Sequence, residues 1–503
     1  MASKRCLPSL APFYAERSRF TCSPIREKGK FVLYVVFNAY RVEENPALDV
    51  AKKIAISLEL PLLVHCFFDD ASRFATARRA TFLIDACREL QANLKAQRIK
   101  CTFQLIHEKK RAPIHMTLAH RAACVVMDEP FVEPHLHFSA KLAECGVKAV
   151  FVDSCCVFPA RMVPKQACRR AYLYRSLTSK GRRERMECGY PQMEDLPHHL
   201  CVGNLCDAAF RDLPDQLLDL SRRDTLSLVR STKVDRSVEP VLHTIGGSSA
   251  ATLRWKSFLK RIARYAAKRN DPLADGVSRM SAYLNIGCIS PFRMHRNVVQ
   301  ALSDSAKKRG AEKFLDEFCV WRELAYALIW NHPSYLDLQS ILPKWAFQTL
   351  AKHAGDPRQH FELEALERGK THVPLWNIAQ MSLWTRGELH NNLRMTWGKE
   401  VIRWVGNPQE LYDTLIHLND KFALDGLSPP SYAGILWCLG WADGPKQERS
   451  VYGKIRFRSA SFLSKRYNLD ALKAFATRKH AGGDVLQLFY RQEQSRKRAR
   501  IEA

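Results

Sequence analysis

The sequence predicts an α/β fold in two parts, an N-terminal doubly wound parallel-sheet (Rossmann-like) domain followed by an all-helical domain. Three observations carry that expectation. The chain has 503 residues, more than one hydrophobic core usually supports. Short β-rich runs alternate with helically spaced stretches near the N-terminus. All ten tryptophans fall between Trp255 and Trp441, where helical periodicity dominates.

Taken in order, residues 1–30 read as a tail. In the span 31–170, "KFVLYVVFN", "LPLLVHCFF", "IKCTFQLIH", "AACVVMDEP" and "VKAVFVDS" are short runs rich in Val, Ile, Leu and Phe, as buried strands require. Stretches between them, such as 76–97, carry apolar residues at helical spacing, which is the βα rhythm of a parallel sheet. Residues 171–250 are rich in Arg, Pro, Asp and His with weak periodicity, as in "SKGRRERMECGYPQMEDLPHHL", and read as an inter-domain linker. "TIGGSSAA" lacks the Lys-Ser/Thr ending of a phosphate-binding loop and reads as a turn. The helical domain is assigned to 251–485, through "LRWKSFLKRIARYAAKR", "AEKFLDEFCVWRELAYALIW" and "PQELYDTLIHLNDKFAL", and a basic tail to 486–503.

Charge narrows the partners. Seventy-eight Lys and Arg against 51 Asp and Glu leave +27, a surplus that suits a polyanion, with nucleic acid the better match than a membrane surface. No apolar run approaches the 18 residues of a membrane span. Sixteen cysteines without a secretory leader point to free thiols in a reducing compartment. His198, His199, Cys201 and Cys206 fit no standard zinc spacing, so no metal is expected.

The stretch 376–404, "WNIAQMSLWTRGELHNNLRMTWGKEVIRW", places four tryptophans in a polar, charged segment. A helix over 388–404 puts His390, Leu393, Arg394, Trp397, Val401 and Trp404 on one face. Trp397 and Trp404 then stand two turns apart, roughly 10 Å along the axis at the helical rise. Arg394 on a buried face needs an anion, because an unpaired buried charge is strongly destabilising. Glu317, in "LDEFCVWREL", is a carboxylate beside an apolar face and needs a partner or a task for the same reason.

These segments together resemble the photolyase and cryptochrome family, most closely the class II cyclobutane pyrimidine dimer photolyases. "GELHNNLRMTWGKEVIRW" is similar to the family's Arg-Met-aromatic-Trp run, "IHLNDKFALDG" (416–426) to its Leu-His-Leu-Asn-Asp segment, and "ERSVYGKIRF" (448–457) to a class II stretch. "YAAKRNDPLADGVSRMSAYLNIGCIS" (265–290) is similar to the segment that meets the flavin phosphates.

The resemblance implies FAD in the helical domain. On the matching positions, Tyr265, Ser278, Met280 and Ser281 meet the diphosphate, Arg394 pairs with Asp425 beside the isoalloxazine ring, and Asn419 lies near flavin N5. Glu317 holds the damaged base, Trp321 and Trp437 wall the dimer pocket, and Met395 is an apolar contact there. Trp397, Trp376 and Trp404 carry electrons from the surface, while Trp384 is an extra indole. Arg456, with Lys454 and Arg449, joins the basic DNA face. The implied partner is DNA containing cyclobutane pyrimidine dimers, and the implied activity is that of a deoxyribodipyrimidine photo-lyase acting as a monomer.

The chain also departs from the family pattern. It keeps Arg41, Asn45 and Leu48 but has Pro46 where Trp is usual, Thr396 where an aromatic is usual, Asn285 where His is usual, and "LSPPS" after Asp425. These leave the second, antenna chromophore uncertain. Two functions stay open: light-driven repair, for which the pocket set Glu317, Trp321, Met395 and Trp437 is intact, and a cryptochrome-type blue-light receptor without repair. The tail "SRKRARIEA" resembles a nuclear import signal and gives the nucleus as the expected location, with an organelle as the alternative.

Overall fold

The computed structural model describes residues 5–107, 113–201, 213 and 217–477. The basic tail 486–503 and Cys206 lie outside the described residues. Among those described, no group of His, Cys, Asp and Glu is arranged to hold a metal ion, and no helix is long and apolar enough to cross a membrane.

The chain begins with a mixed sheet of seven strands: β1 (Ser18–Phe20), β2 (Val32–Val35), β3 (Leu62–Asp69), β4 (Lys100–Ile106), β5 (Cys124–Asp128), β6 (Ala149–Val152) and β7 (Leu217–Leu218). Their order is β1-β6-β5-β2-β3-β4-β7. The five inner strands are parallel, and the short β1 and β7 close the edges in antiparallel pairing. Strands covered on both faces must be apolar throughout, which is why β2, β5 and β6 are buried at every position. The predicted runs become β2 to β6. Both edge strands fall outside the span 31–170, β1 in the N-terminal stretch and β7 within 171–250.

One face of the sheet packs on the crossover helices Pro46–Leu58 and Ala77–Ala96, and the other on His115–Arg121 and His135–Glu144. The core on the first face runs on to Trp255, Phe258 and Phe314 of the helical part, so the two parts share one core. Polar ties fix the join. Arg78 Nη1 donates to the carbonyls of Leu383 and Phe422 at 2.7 and 2.6 Å, and Arg41 Nη1 donates to that of Gly287 at 3.0 Å. The Glu323 carboxylate accepts from the backbone N–H of Val157 and Phe158 at 2.7 and 3.1 Å. Burial pushes that carboxyl up to about 7 against Arg322 and the two backbone donors.

Three expected helices differ in detail. "LRWKSFLKRIARYAAKR" breaks after Leu259 into a 3₁₀ turn (Ile262–Arg264) and a short helix (Tyr265–Lys268). "AEKFLDEFCVWRELAYALIW" is interrupted by a π-helical turn over Asp316–Arg322, a device found mostly at functional sites. The helix expected over 388–404 spans only Asn391–Glu400, and a 3₁₀ turn (Val401–Arg403) carries the chain to Trp404. The single face drawn through Trp397 and Trp404 is therefore corrected: Trp404 lies beyond the helix, and Trp376 of the helix Pro374–Arg386 stands between the two.

Candidate active site

Four segments of the helical domain enclose a cavity of about 350 Å³, within the range of small-ligand sites. One is the loop from Asp271 to Met280 with the turn beginning at Ser281. Another is the π turn with Glu317, Phe318 and Arg322. The remaining two are the starts of the helices Asn391–Glu400 and Pro429–Cys438. The loop is tightly curled, with Asp275 and Arg279 in the left-handed region at φ 45° and 55°. Gly276 sits so near Lys268 that an added Cβ would come within 2.6 Å of its backbone. The helix Asn391–Glu400 turns its N-terminal end to the space, which favours a negatively charged ligand group, whereas the helix Pro429–Cys438 opens on two prolines that carry no N–H.

Eight of the site residues that the family resemblance implies line this cavity: Tyr265, Ser278, Met280, Ser281, Glu317, Arg394, Met395 and Asp425. Arg394 Nη2 donates to both Asp425 oxygens at 2.9 and 3.1 Å, and Nη1 donates to Asn419 Oδ1 at 2.9 Å. That pairing answers the demand of a mostly buried guanidinium for an anion. Asn419 is fully buried and stands behind Arg394, outside the lining. Its Nδ2 donates to Asp420 Oδ1 at 2.8 Å, so both ends of the amide are engaged within the protein. Asp420 also accepts from the Leu427 N–H at 2.8 Å and the Tyr432 hydroxyl at 2.9 Å.

Glu317 on the π turn pairs with Arg269 at 2.8 Å and Lys313 at 2.7 Å, which makes its partial burial tolerable. One π turn later in the chain, Trp321 stacks face to face on Trp437, with centroids 4.7 Å apart and planes 10° from parallel. Neither indole lines the cavity; they sit half-buried beside it. Trp437 Nε1 donates to Asp443 at 3.3 Å. Arg456 is largely exposed, its guanidinium 4.0 Å from Asp443.

Three other tryptophans form a ladder in the core. Trp397 and Trp376 are parallel at 6.3 Å, and Trp376 meets Trp404 edge to face at 4.9 Å. All three are at most 2% exposed, so their spacing is set by packing on every side. Trp397 Nε1 donates to Gln380, and Trp376 Nε1 to the Trp397 carbonyl, each at 3.0 Å. Trp384 stands apart, tilted against Phe422 at 5.1 Å.

Sequence reasoning missed a second ionic group on the cavity wall. Arg279 Nε donates to Glu388 at 3.0 Å, Arg386 Nη2 does so at 2.9 Å, and His243 lies 3.7 Å away. Burial raises the Glu388 carboxyl, but Arg279, His243 and Arg386 overcome it and hold the group well below the usual carboxylate range. His390, also on the wall, is pushed down to about 4 by burial and is neutral near pH 7. The signal for Arg279 and Glu388 lay in the stretches "SRMS" and "GELH", whose opposite charges nothing in the sequence joined. Asn285 lines the cavity too and donates to the carbonyls of Leu424 and Gly426 at 3.2 and 2.8 Å.

No family model matches the sequence. The chain is 30% identical over 447 residues to a deoxyribodipyrimidine photo-lyase of Methanothermobacter thermautotrophicus, covering 88% of this chain and 94% of the relative. It is 34% identical over 495 residues to a deoxyribodipyrimidine photo-lyase of Potorous tridactylus, covering 92% and 85%. A cryptochrome of Synechocystis shares the fold with a TM-score of 0.65 at 15% identity, over 90% of this chain and 89% of that one.

Proposed function

Because this chain belongs to the photolyase and cryptochrome family, we propose that it repairs DNA in light, splitting cyclobutane pyrimidine dimers as a class II photolyase with bound FAD. The observation that carries the reading is the juxtaposition of the Arg394–Asp425 pair and Glu317 on its π turn around one cavity, with Trp397, the first indole of the ladder, on the same helix as Arg394.

The residues present fit a flavin dinucleotide. A Cβ built on Gly434, on the cavity wall, would meet nothing within 4 Å, so the space beside it is open. Met280, Leu284, Phe318, Leu389 and Phe475 give apolar surface for ring systems, while Ser278, Ser281, Arg279 and the N-terminus of the helix Asn391–Glu400 offer donors for a diphosphate. Tyr265 would flank that end, and Arg394 with Asp425 would hold the polar edge of the ring. Asn419 would act through Arg394, whose guanidinium it orients. When bound and reduced, FAD supplies the photoexcited electron that opens the cyclobutane ring.

The protein's own task is then positioning and electrostatics. Glu317, fixed by Arg269 and Lys313, would hydrogen-bond a flipped-out dimer at the cavity mouth. Met395 would give an apolar contact, Trp321 and Trp437 stacking faces, and Arg456 a phosphate contact on the flank. The reading includes a monomer acting in the nucleus, the latter on the strength of the basic tail. A second antenna chromophore stays unassigned.

One observation favours the alternative, a cryptochrome-type photoreceptor without repair. Trp321 and Trp437 are stacked on each other, so a dimer must part them to lie between their faces. A light-dependent repair assay on dimer-containing DNA decides. Monomer release under blue light supports the enzyme; bound flavin with photoreduction and no release would leave the receptor.

A further inference from the structure

Residues 154–183 contain eight Lys and Arg and no Asp or Glu, a run that the cavity and the ladder do not use. Its second half is the helix Ala171–Glu187. Ala171, Tyr174 and Thr178 are buried against the protein, and Gly181 lies so near Phe158 that a Cβ there would come within 2.4 Å of the ring. Arg182 and Arg185 are turned to this inner side, donating to Thr178 and to Glu16 respectively.

The outer side is different in kind. Tyr172, Ser176, Ser179, Lys180 and Arg183 are all exposed, and their spacing sets them on one helical stripe, with exposed Arg169 just before it. Tyr172 is 66% exposed, unusual for so large an aromatic side chain. No described carboxylate pairs with Arg169, Lys180 or Arg183. Acidic residues return only at Glu184 and Glu187, at the helix end.

The start of the helix lies beside the π turn that carries Glu317. Arg175 Nη2 lies 2.7 Å from Asp316, the neighbour of Glu317, and its guanidinium is 5.6 Å from the Trp321 ring. Arg170 approaches the loop of Asp443 and Gly444, 3.8 Å from where a Cβ on Gly444 would sit. The start of the helix therefore borders the Trp321–Trp437 pair, and the stripe runs away from it.

We infer that the helix Ala171–Glu187 is a DNA-backbone contact surface, its outer stripe binding phosphates that flank the lesion. From Tyr172 to Arg183 the stripe is about 16 Å long at the helical rise, about five nucleotide steps of duplex. Lys180, Arg183 and Arg169 neutralise phosphates, Ser176 and Ser179 are small enough to let a backbone approach, and Tyr172 gives a flat face at the end of the stripe near the Trp321–Trp437 pair. Exposed Tyr172 and Leu177 would also suit a protein partner, but a stretch this long without an acidic residue favours a polyanion. The inference rests on the DNA-repair reading.

The test replaces Arg169, Lys180 and Arg183 together by Gln in the full chain. Binding to a lesion-centred duplex, an undamaged duplex and a lesion-containing trinucleotide is followed across salt concentrations. The log–log salt slope on both duplexes should become shallower by about 2 to 3, near 0.9 for each phosphate no longer neutralised, while binding of the trinucleotide, which ends before the stripe, should not change. An unchanged duplex slope overturns the inference, and so does an equal loss on the trinucleotide, which marks general damage. Duplex binding without repair by the unaltered protein would overturn the repair reading alone, and the slope would still decide the helix. No duplex binding at all by the unaltered protein would overturn both.

Discussion

Two sets of tryptophans in the helical domain are built oppositely. The Trp397–Trp376–Trp404 ladder is sealed in the core, with two of its indole N–H groups tied to protein acceptors. The Trp321–Trp437 pair is half-buried beside the cavity, its rings held by each other's faces, with Arg175 over one and Asp443 on the other. Packing on all sides gives fixed spacing, which electron passage needs. A stack open to solvent on its rim can instead exchange a ring face for a base, at a stacking energy of about 1–3 kcal/mol. On the proposed reading one side-chain type would serve two tasks, and burial separates the two sets.

The largest expected effect comes from breaking the ladder. Trp397→Phe keeps a ring in the core but removes an easily oxidised donor and the indole bond to Gln380. Blue-light reduction of oxidised flavin should be nearly abolished, while repair by chemically pre-reduced protein survives. Flavin absorbance under illumination with an external reductant measures the first, and dimer release the second. If Phe variants of Trp397, Trp376 and Trp404 all photoreduced normally, the ladder would be core and nothing more.

Between the two sets stands Glu317, on the same π turn as Trp321. Glu317→Gln keeps the shape and removes the charge, so lesion binding should hold while repair by reduced protein falls by roughly a hundredfold, the usual loss when one transition-state hydrogen bond is removed. Photoreduction should not move. Unchanged repair yield would take Glu317 out of the chemistry and leave it a partner for Arg269 and Lys313.

The comparison also shows which features a sequence can reveal. Strands β2, β5 and β6 were legible because burial on both faces leaves continuous Val, Leu and Phe. β1 and β7 were not, because three residues with an exposed end and two half-buried leucines carry no pattern. The π turn was hidden because "LDEFCVWREL" keeps an apolar helical rhythm through the extra residue it accommodates. The demand of Arg394 for an anion followed from burial alone, but naming Asp425 took the family resemblance. Lys313, one turn before Glu317, was visible locally; Arg269, 48 residues away, was not. The Arg279–Glu388–His243 group joins three distant segments and exists only once the chain is folded.

A smaller effect separates the mouth pair from the ladder at equilibrium. Trp437→Ala removes one stacking face and should weaken binding of a dimer-containing duplex by about tenfold, within the range for one base–aromatic stack. Undamaged duplex should bind almost as before, since phosphate contacts carry that affinity. Photoreduction should be untouched. Equal loss on damaged and undamaged duplex would make Trp437 part of the general DNA surface.

The smallest effect concerns the loop that follows Trp437. His353 is clasped between Asp356 at 2.7 Å and Glu448 at 3.0 Å, and Asp356 also accepts from the Val451 N–H at 2.6 Å, so the clasp pins the segment leading to Arg456. Donating hydrogen bonds to Asp356 and Glu448 raises the His353 pKa above its ordinary 6.5. The Val451 N–H, His353 and Ser450 hold Asp356 down to about 2, and Lys352 with His353 does the same for Glu448. Lys454 also faces Glu448, and Arg358 donates to the Asp356 carbonyl at 2.9 Å. With a raised imidazole the clasp is complete below pH 6.5 and weakens as pH rises through the raised value; at the acid end it persists until pH falls from about 4 towards 2. Duplex affinity should therefore decline a few-fold on the alkaline side, the size expected of exposed ion pairs. His353→Gln, which cannot titrate, should start at the weaker affinity and flatten that decline, with photoreduction the same at each pH in both proteins. A decline of equal size in the variant would assign the pH dependence to groups other than the clasp.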